Sequence, residues 1–228
     1  MDVIFMGNSR YRLRHLFLGM GMVGALTGLG VLVAPASDAG TVAGGTPSVA
    51  QNCVTTPGDT FETPVVPPHT FSELSAGQMI GPWMVTPNNV DLNGEGFYQA
   101  ADGVQSLDLS GNSPGGVERS FDTVSLPLSL FTYAVTYCLA GNPDGGPAVK
   151  TGQILVNNAV VQNFSFDTTG KNRSNMGYQL QKLSFTSAGP TAKVEFRSTT
   201  NTVYGPVIDK VTFTKCLLGL FCSAPAVG

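Results

Sequence analysis

The chain has 228 residues, of which only 12% are charged, with a net charge of −3 and a pI near 5.2. An average soluble domain is about a quarter charged, and no basic stripe is present, which argues against nucleic acid as a partner. With 28 Gly, 15 Pro and much Val, Thr and Phe, the composition favours strands and turns over helices.

At the N-terminus Arg10, Arg12 and Arg14 precede an apolar run from Leu16 to Val33. Small residues follow at Ala34-Pro35-Ala36 and Ser37-Asp38-Ala39. This is the order of a secretory signal peptide over residues 1–39, with cleavage after Ala36 or Ala39. The run is near spanning length, so an uncleaved anchor is the competing reading. No Cys follows it directly, which argues against a lipoprotein. Residues 40–57 are rich in Gly, Ala, Ser and Thr and read as a flexible arm. All four cysteines, Cys53, Cys138, Cys216 and Cys222, lie beyond the signal. An even count in an exported chain predicts disulfides, with three connectivities open. One of them closes a short Cys216–Cys222 loop and clips Cys53 of the arm to Cys138. Zinc is the rival reading, but His69 is the one His left after processing, and the spacing is not a metal pattern.

From residue 58 to 215 the chain reads as strands separated by turns. Phe131–Leu139 places Phe131, Tyr133, Val135, Tyr137 and Leu139 on one face and small residues on the other. Gly141-Asn142-Pro143-Asp144-Gly145-Gly146 ends that strand. Residues 154–156 and 159–161 flank Asn157-Asn158 as a hairpin. Over 192–198, Val194 and Phe196 point inward and Lys193, Glu195 and Arg197 outward. No stretch beyond the signal makes a good amphipathic helix. Short strands at this spacing predict an all-β fold, a β-sandwich. The tail, 216–228, holds Leu217, Leu218, Leu220 and Phe221, too few apolar residues to span a bilayer.

Hydrolytic chemistry lacks its parts. A triad needs a base such as His, and His69 stands in a Pro-Pro-His loop. A glycosidase needs two carboxylates across a cleft, and nothing in the sequence pairs any two acids. The chain therefore reads as a non-enzyme. Asp209 shares strand parity with Val207, Val211 and Phe213, so it points with the apolar set and must be hydrogen-bonded, paired or metal-bound. Arg119 shares a face with Val117 and Phe121, and Gln105 with Leu107 and Leu109. Such polar groups at the end of an apolar face line a ligand cleft, or else snorkel to the rim or pair with an acid. Trp83 reads as core packing before sugar stacking. Tyr98, Tyr178 and Tyr204 lie nearer predicted loops and are candidate sugar platforms.

Several strings occur in fixed order: Gly81-Pro82-Trp83-Met84-Val85, Asn89-Val90-Asp91-Leu92, Ala101 to Gly111, Leu139-Ala140-Gly141-Asn142 and Gly205-Pro206-Val207-Ile208-Asp209-Lys210-Val211. Together they resemble the choice-of-anchor C family of bacterial secreted proteins and the plant cell-wall domain-of-unknown-function 642 family. The resemblance runs from about Gly58 to Lys215. It implies a galactose-binding-like jelly roll, a fold shared by many carbohydrate-binding modules. It also implies a structural calcium where first and last strands meet. Glu62 of Phe61-Glu62 and Asp209 match the ligand positions, and Asp102 could add a third oxygen. Family members often carry a C-terminal anchor. None is legible in 216–228, which favours a released extracellular protein with no stable membrane anchor. The expected function is a secreted, non-catalytic module binding a cell-wall polysaccharide or cell-surface glycan. A structural or protein-interaction module that binds another secreted protein is the alternative.

Overall fold

The computed structural model describes residues 53, 58–124, 131–187, 189–217 and 221–223. The expected signal peptide, the arm apart from Cys53, and most of the tail lie outside these. Among the described residues there is no helix, and hence none long and apolar enough to cross a membrane. The strands are β1 (Phe71–Ser75), β2 (Met79–Ile80), β3 (Trp83–Val85), β4 (Asn89–Asn93), β5 (Ser106–Asp108), β6 (Gly116–Asp122) and β7 (Phe131–Gly141). They continue with β8 (Val149–Val156), β9 (Ala159–Asp167), β10 (Gln179–Phe185), β11 (Thr191–Ser198), β12 (Pro206–Leu217) and β13 (Phe221–Ser223).

They form two antiparallel sheets. One has the order β1-β4-β5-β12-β7-β10, with β13 added to β12, and the other β2-β3-β6-β11-β8-β9. The chain passes back and forth between them, so many neighbours within a sheet, such as β5 and β12 or β6 and β11, are distant in sequence. This is the winding of a jelly-roll sandwich: the strand pattern implies the sandwich, and the resemblance the jelly roll. Period-two alternation turns one face of each sheet into the shared core. Trp83 sits at its centre, fully buried, edge-on to Phe196 at 5.7 Å and Phe121 at 6.0 Å. Its indole Nε1 donates to Asp59 Oδ2 at 3.3 Å. Phe121 stacks on Phe213 at 4.1 Å, which in turn meets Tyr133. Trp83 is thus a packing residue with its one polar atom satisfied.

Tyr133, Val135, Tyr137 and Leu139 of β7 are all buried in that core. The small residues of the opposite face, Ala134, Cys138 and Ala140, are buried too, because this central strand is covered on both sides. The Asn157-Asn158 hairpin joins β8 to β9 with both residues at positive φ, 51° and 69°, as a type I′ turn requires. On β11, Val194 and Phe196 face inward. Glu195 departs from its expected exposure: it faces away from the core but is only 2% exposed. Arg197 closes over it, Nη2 lying 2.7 Å from Oε1. Cys53 pairs with Cys138, and Cys216 with Cys222 across the β12–β13 ladder, so no free thiol remains.

The parity reading of Asp209 needs correction. Ile208 lies opposite Leu139 and Phe213 opposite Val135, but the register shifts between Asp209 and Thr212. Lys210, at φ 49°, is the extra residue of a bulge. It moves the core-facing set from even to odd numbers. Asp209, opposite Cys138, therefore lies on the outer face of its sheet, away from Phe213. It is nonetheless fully buried, because a loop folds over it.

Candidate functional site

The strands β1, β4 and β5 put Leu74, Val90, Leu92 and Leu107 into the core. Their alternate residues form the outer face. Register places Phe71 opposite Asn93 and Glu73 opposite Asp91, and Asp91 in turn opposite Asp108. Three carboxylates therefore lie in a row across three neighbouring strands. Like charges directly opposite one another destabilise a sheet, and proteins keep such local conflicts chiefly at functional sites. Here the row forms the floor of a cleft of about 450 Å³. Phe71, Phe97, Tyr98 and Tyr204 supply its aromatic surface, and Asn93, Asn112, Asn142, Asp144 and Arg173 its remaining polar wall.

Each acid has a distinct environment. Asp108 is buried and accepts hydrogen bonds from the Asn142 side chain at 2.8 Å and the Ser110 backbone N–H at 2.9 Å. Burial still pushes its pKa up to about 8. Gly205 comes so close that a Cβ there would sit 2.6 Å from Asp108 Oδ1, so only glycine fits. Asp91 is pushed up to about 7, by burial first and the charge of Glu73 second. Its Oδ1 is buried and accepts no hydrogen bond. Glu73 accepts from the Asn112 amide. Burial acts to raise Asp144, yet Arg173 and the Tyr98 hydroxyl together hold its pKa below the usual carboxylate value. The Arg173 contact is bidentate, at 2.9 and 2.7 Å, and Tyr98 Oη donates at 2.8 Å.

The aromatic side is ordered by the same residues. Arg173 lies 4.6 Å above the Phe97 ring, and Phe71 meets Phe97 at 5.3 Å. Phe71 is 49% exposed, a large ring held at the cleft mouth. Lys150 is buried nearby, donating to the Gly145 carbonyl and lying 5.8 Å from the Tyr204 ring centre. Desolvation lowers its pKa, against the pull of Asp108.

Of the residues singled out in the sequence, Tyr98 and Tyr204 line this cleft. Arg119 does not: it pairs with Asp59 and lies 4.7 Å over the Phe121 ring, the acid-paired alternative. Gln105 is buried, accepting from Val66 N at 2.6 Å and donating to the carbonyls of Phe61 and Pro64. Tyr178 is half-buried away from the cleft lining, its pKa raised by burial and by Asp209. The acids that the sequence left unpaired are the ones register brings together. The signal that would have found them is the polar alternation of Asn89-Val90-Asp91-Leu92-Asn93 and Ser106-Leu107-Asp108.

Glu62, Asp102 and Asp209 do gather around one loop, but not as a cation cage. Glu62 Oε1 accepts the N–H groups of Val104 and Gln105 at 3.0 and 3.1 Å. Asp209 Oδ2 accepts those of Ala101 and Asp102, at 2.7 and 3.1 Å, and its Oδ1 that of Lys210. The Lys210 ammonium lies 3.4 Å from Asp102. These partners are hydrogen-bond donors and a cation, whereas calcium needs six to eight oxygens. Among the described residues no three acid, His or Cys side chains converge to hold a metal. The arrangement does not fit calcium.

The protein is thus an antiparallel jelly-roll sandwich with an aromatic, carboxylate-floored cleft on one sheet face. It belongs to the DUF642 family, proteins of unknown function, whose family model matches residues 55–214. Solved structures of similar architecture include CBM35 from Paenibacillus barcinonensis, at 15% identity and a TM-score of 0.41, covering 63% of this chain and 98% of that one. A family 35 carbohydrate-binding module from Clostridium thermocellum gives 15% identity and a TM-score of 0.42, covering 64% and 96%. The K2 adhesin domain of Lys-gingipain gives 13% and 0.43, covering 69% and 96%. No curated protein matches the chain.

Proposed function

We propose that this protein is a secreted, non-catalytic module that binds a cell-wall polysaccharide or cell-surface glycan in the β1-β4-β5 cleft. One observation carries the reading: the half-exposed Phe71 ring stands beside a floor of carboxylates and amides, in a cleft of about 450 Å³. Sugar rings present an apolar C–H face and a periphery of hydroxyls, and they need an aromatic platform flanked by planar polar groups. A glycosidase sets its two carboxylates on opposite sides of the scissile bond, whereas Asp91 and Asp108 are cross-strand neighbours on one floor, with Asp108 buried and held by Asn142 and Ser110. Both disulfides suit an oxidising compartment and support export.

A polysaccharide pull-down and glycan array with the protein from residue 40 onward test this. At least one glycan class should be retained, without release of reducing ends, and Phe71→Ala should weaken retention at least ten-fold. Absence of any binding, or an unchanged Phe71→Ala variant, would refute it.

A further inference from the structure

The charge inventory of the cleft narrows its ligand. Glu73, Asp91 and Asp108 lie side by side on the floor. Among the described residues Arg173 is the single cation on the cleft lining, and two of its three nitrogens are clamped to Asp144. Lys150, buried near Tyr204, is turned to the Gly145 carbonyl. Asn112 and Asn142 give neutral hydrogen bonds to Glu73 and Asp108. Asp91, in the middle of the row, has a buried oxygen that no donor of the protein reaches. The cleft therefore lacks a positive donor at its centre.

A metal ion is not the natural occupant. A row across three strands spreads its oxygens, and no three of them converge on one point. An anionic ligand would be repelled by Glu73, would keep Asp91 and Asp108 protonated, and would find Arg173 already clamped to Asp144, whereas a cationic ligand draws out the charge of the floor. An ammonium group fits. It has three hydrogen-bond donors and one charge, which suit the Asp91 carboxylate with the exposed Glu73 opposite it, and it does not need the converging oxygens of a metal site. Phe97 already carries Arg173 on its ring, and the half-exposed Phe71 beside it offers its face to a sugar ring or an adjacent cation.

We propose that the cleft recognises a glycan bearing free amino groups, a de-N-acetylated hexosamine polymer of the glucosamine type. This rests on reading the cleft as a glycan site and goes further by choosing the ligand class.

Titration calorimetry at neutral pH and low salt, with the protein from residue 40 onward, separates the outcomes. The probes are a glucosamine hexamer, an N-acetylglucosamine hexamer, a galacturonate oligomer and hexalysine. The glucosamine hexamer should bind at least ten-fold more tightly than the acetylated hexamer, and the galacturonate oligomer should not bind. Asp91→Asn and Glu73→Gln should each lose at least ten-fold for the glucosamine hexamer and at most two-fold for the acetylated one. Both are isosteric, and their thermal unfolding reports whether they fold. Equal or tighter binding of the acetylated or uronate oligomer, abolished by Phe71→Ala, would overturn the ligand class and leave the cleft standing. Binding of no glycan would overturn the cleft reading itself. Hexalysine binding as tightly as the glucosamine hexamer would show amine recognition without a sugar.

Discussion

Replacing Asp91 by Asn should make the protein more stable, by an amount that grows with pH from about 4 to about 7 and stays level above that. In the folded state Asp91 has its pKa raised from 3.8 to about 7 by burial and by Glu73. In the unfolded chain it titrates at about 3.9. Between those values the folded state holds a proton that the unfolded state has lost, so stability falls as pH rises from about 4 to about 7, where the loss is complete. Asp108, at about 8, and Asp209, at about 7, act in the same direction. A shift of this size corresponds at most to about 4 kcal/mol at ~1.4 kcal/mol per unit. Asp91 remains partly open to water, and screening reduces that to about 1–2 kcal/mol. Asn keeps the shape and removes the charge. Urea unfolding of both proteins should therefore give a gain of about 1–2 kcal/mol for Asp91→Asn at pH 8.5, most of it already present at pH 7, a smaller gain at pH 5 and little difference at pH 4. A variant less stable than the parent at pH 8.5, or equally shifted at pH 8.5 and pH 4, would refute the reasoning. A stabilised variant that also binds glycan less well would mark a site kept at a cost in stability.

Three further outcomes follow from the geometry. The Cys53–Cys138 bridge spans 85 residues and Cys216–Cys222 spans 6. Loop-closure entropy gives about 4.6 and about 2.2 kcal/mol for them, so Cys53→Ala/Cys138→Ala should lower Tm markedly more than Cys216→Ala/Cys222→Ala in calorimetry. Because Asp209 is engaged by three N–H groups, a chelator should leave Tm unchanged. Asp209→Asn should still cost about 1–3 kcal/mol, since it turns an amide toward those donors. A chelator-dependent fall in Tm that Asp209→Asn abolishes would instead establish a calcium site. Glu62→Ala leaves Val104 and Gln105 N–H without their acceptor. Hydrogen exchange over residues 101–105 should quicken, and glycan affinity should fall although Glu62 lies outside the cleft.

What the sequence makes legible here depends on how local the cause is. The β7 strand, the Asn157-Asn158 hairpin and the burial of Trp83 follow from period-two alternation and from turn chemistry, which act within a few residues. The register of three strands does not. Glu73, Asp91 and Asp108 are far apart in the chain, and only the pairing of β1 with β4 and β4 with β5 makes them neighbours. Arg119 was legible as a polar group on an apolar face. Its partner Asp59, 60 residues away, was not. Strand parity puts Asp209 with the buried set for a reason that fails. Strand parity assumes an unbroken ladder, and the bulge at Lys210 adds one residue without any Gly or Pro to announce it.

That bulge explains why one sheet face can serve two purposes. On the half formed by β12 and β7, the outer face is closed: Val207, Asp209, Cys138 and Ala140 are all buried, and Cys53 is bonded to Cys138. A buried carboxylate there needs several donors, and the backbone of the loop between β4 and β5 supplies them to Asp209 at one point and to Glu62 at another. The same loop carries Phe97 and Tyr98, the aromatic wall of the cleft over β1, β4 and β5. Glu62 and Asp209 thus pin a wall against which Asp144 and Arg173 rest, while the neighbouring strands grade their acids from exposed Glu73 to buried Asp108. The acids that the resemblance matches to metal-ligand positions fix the wall of the cleft through hydrogen bonds to the backbone, a role that needs no ion.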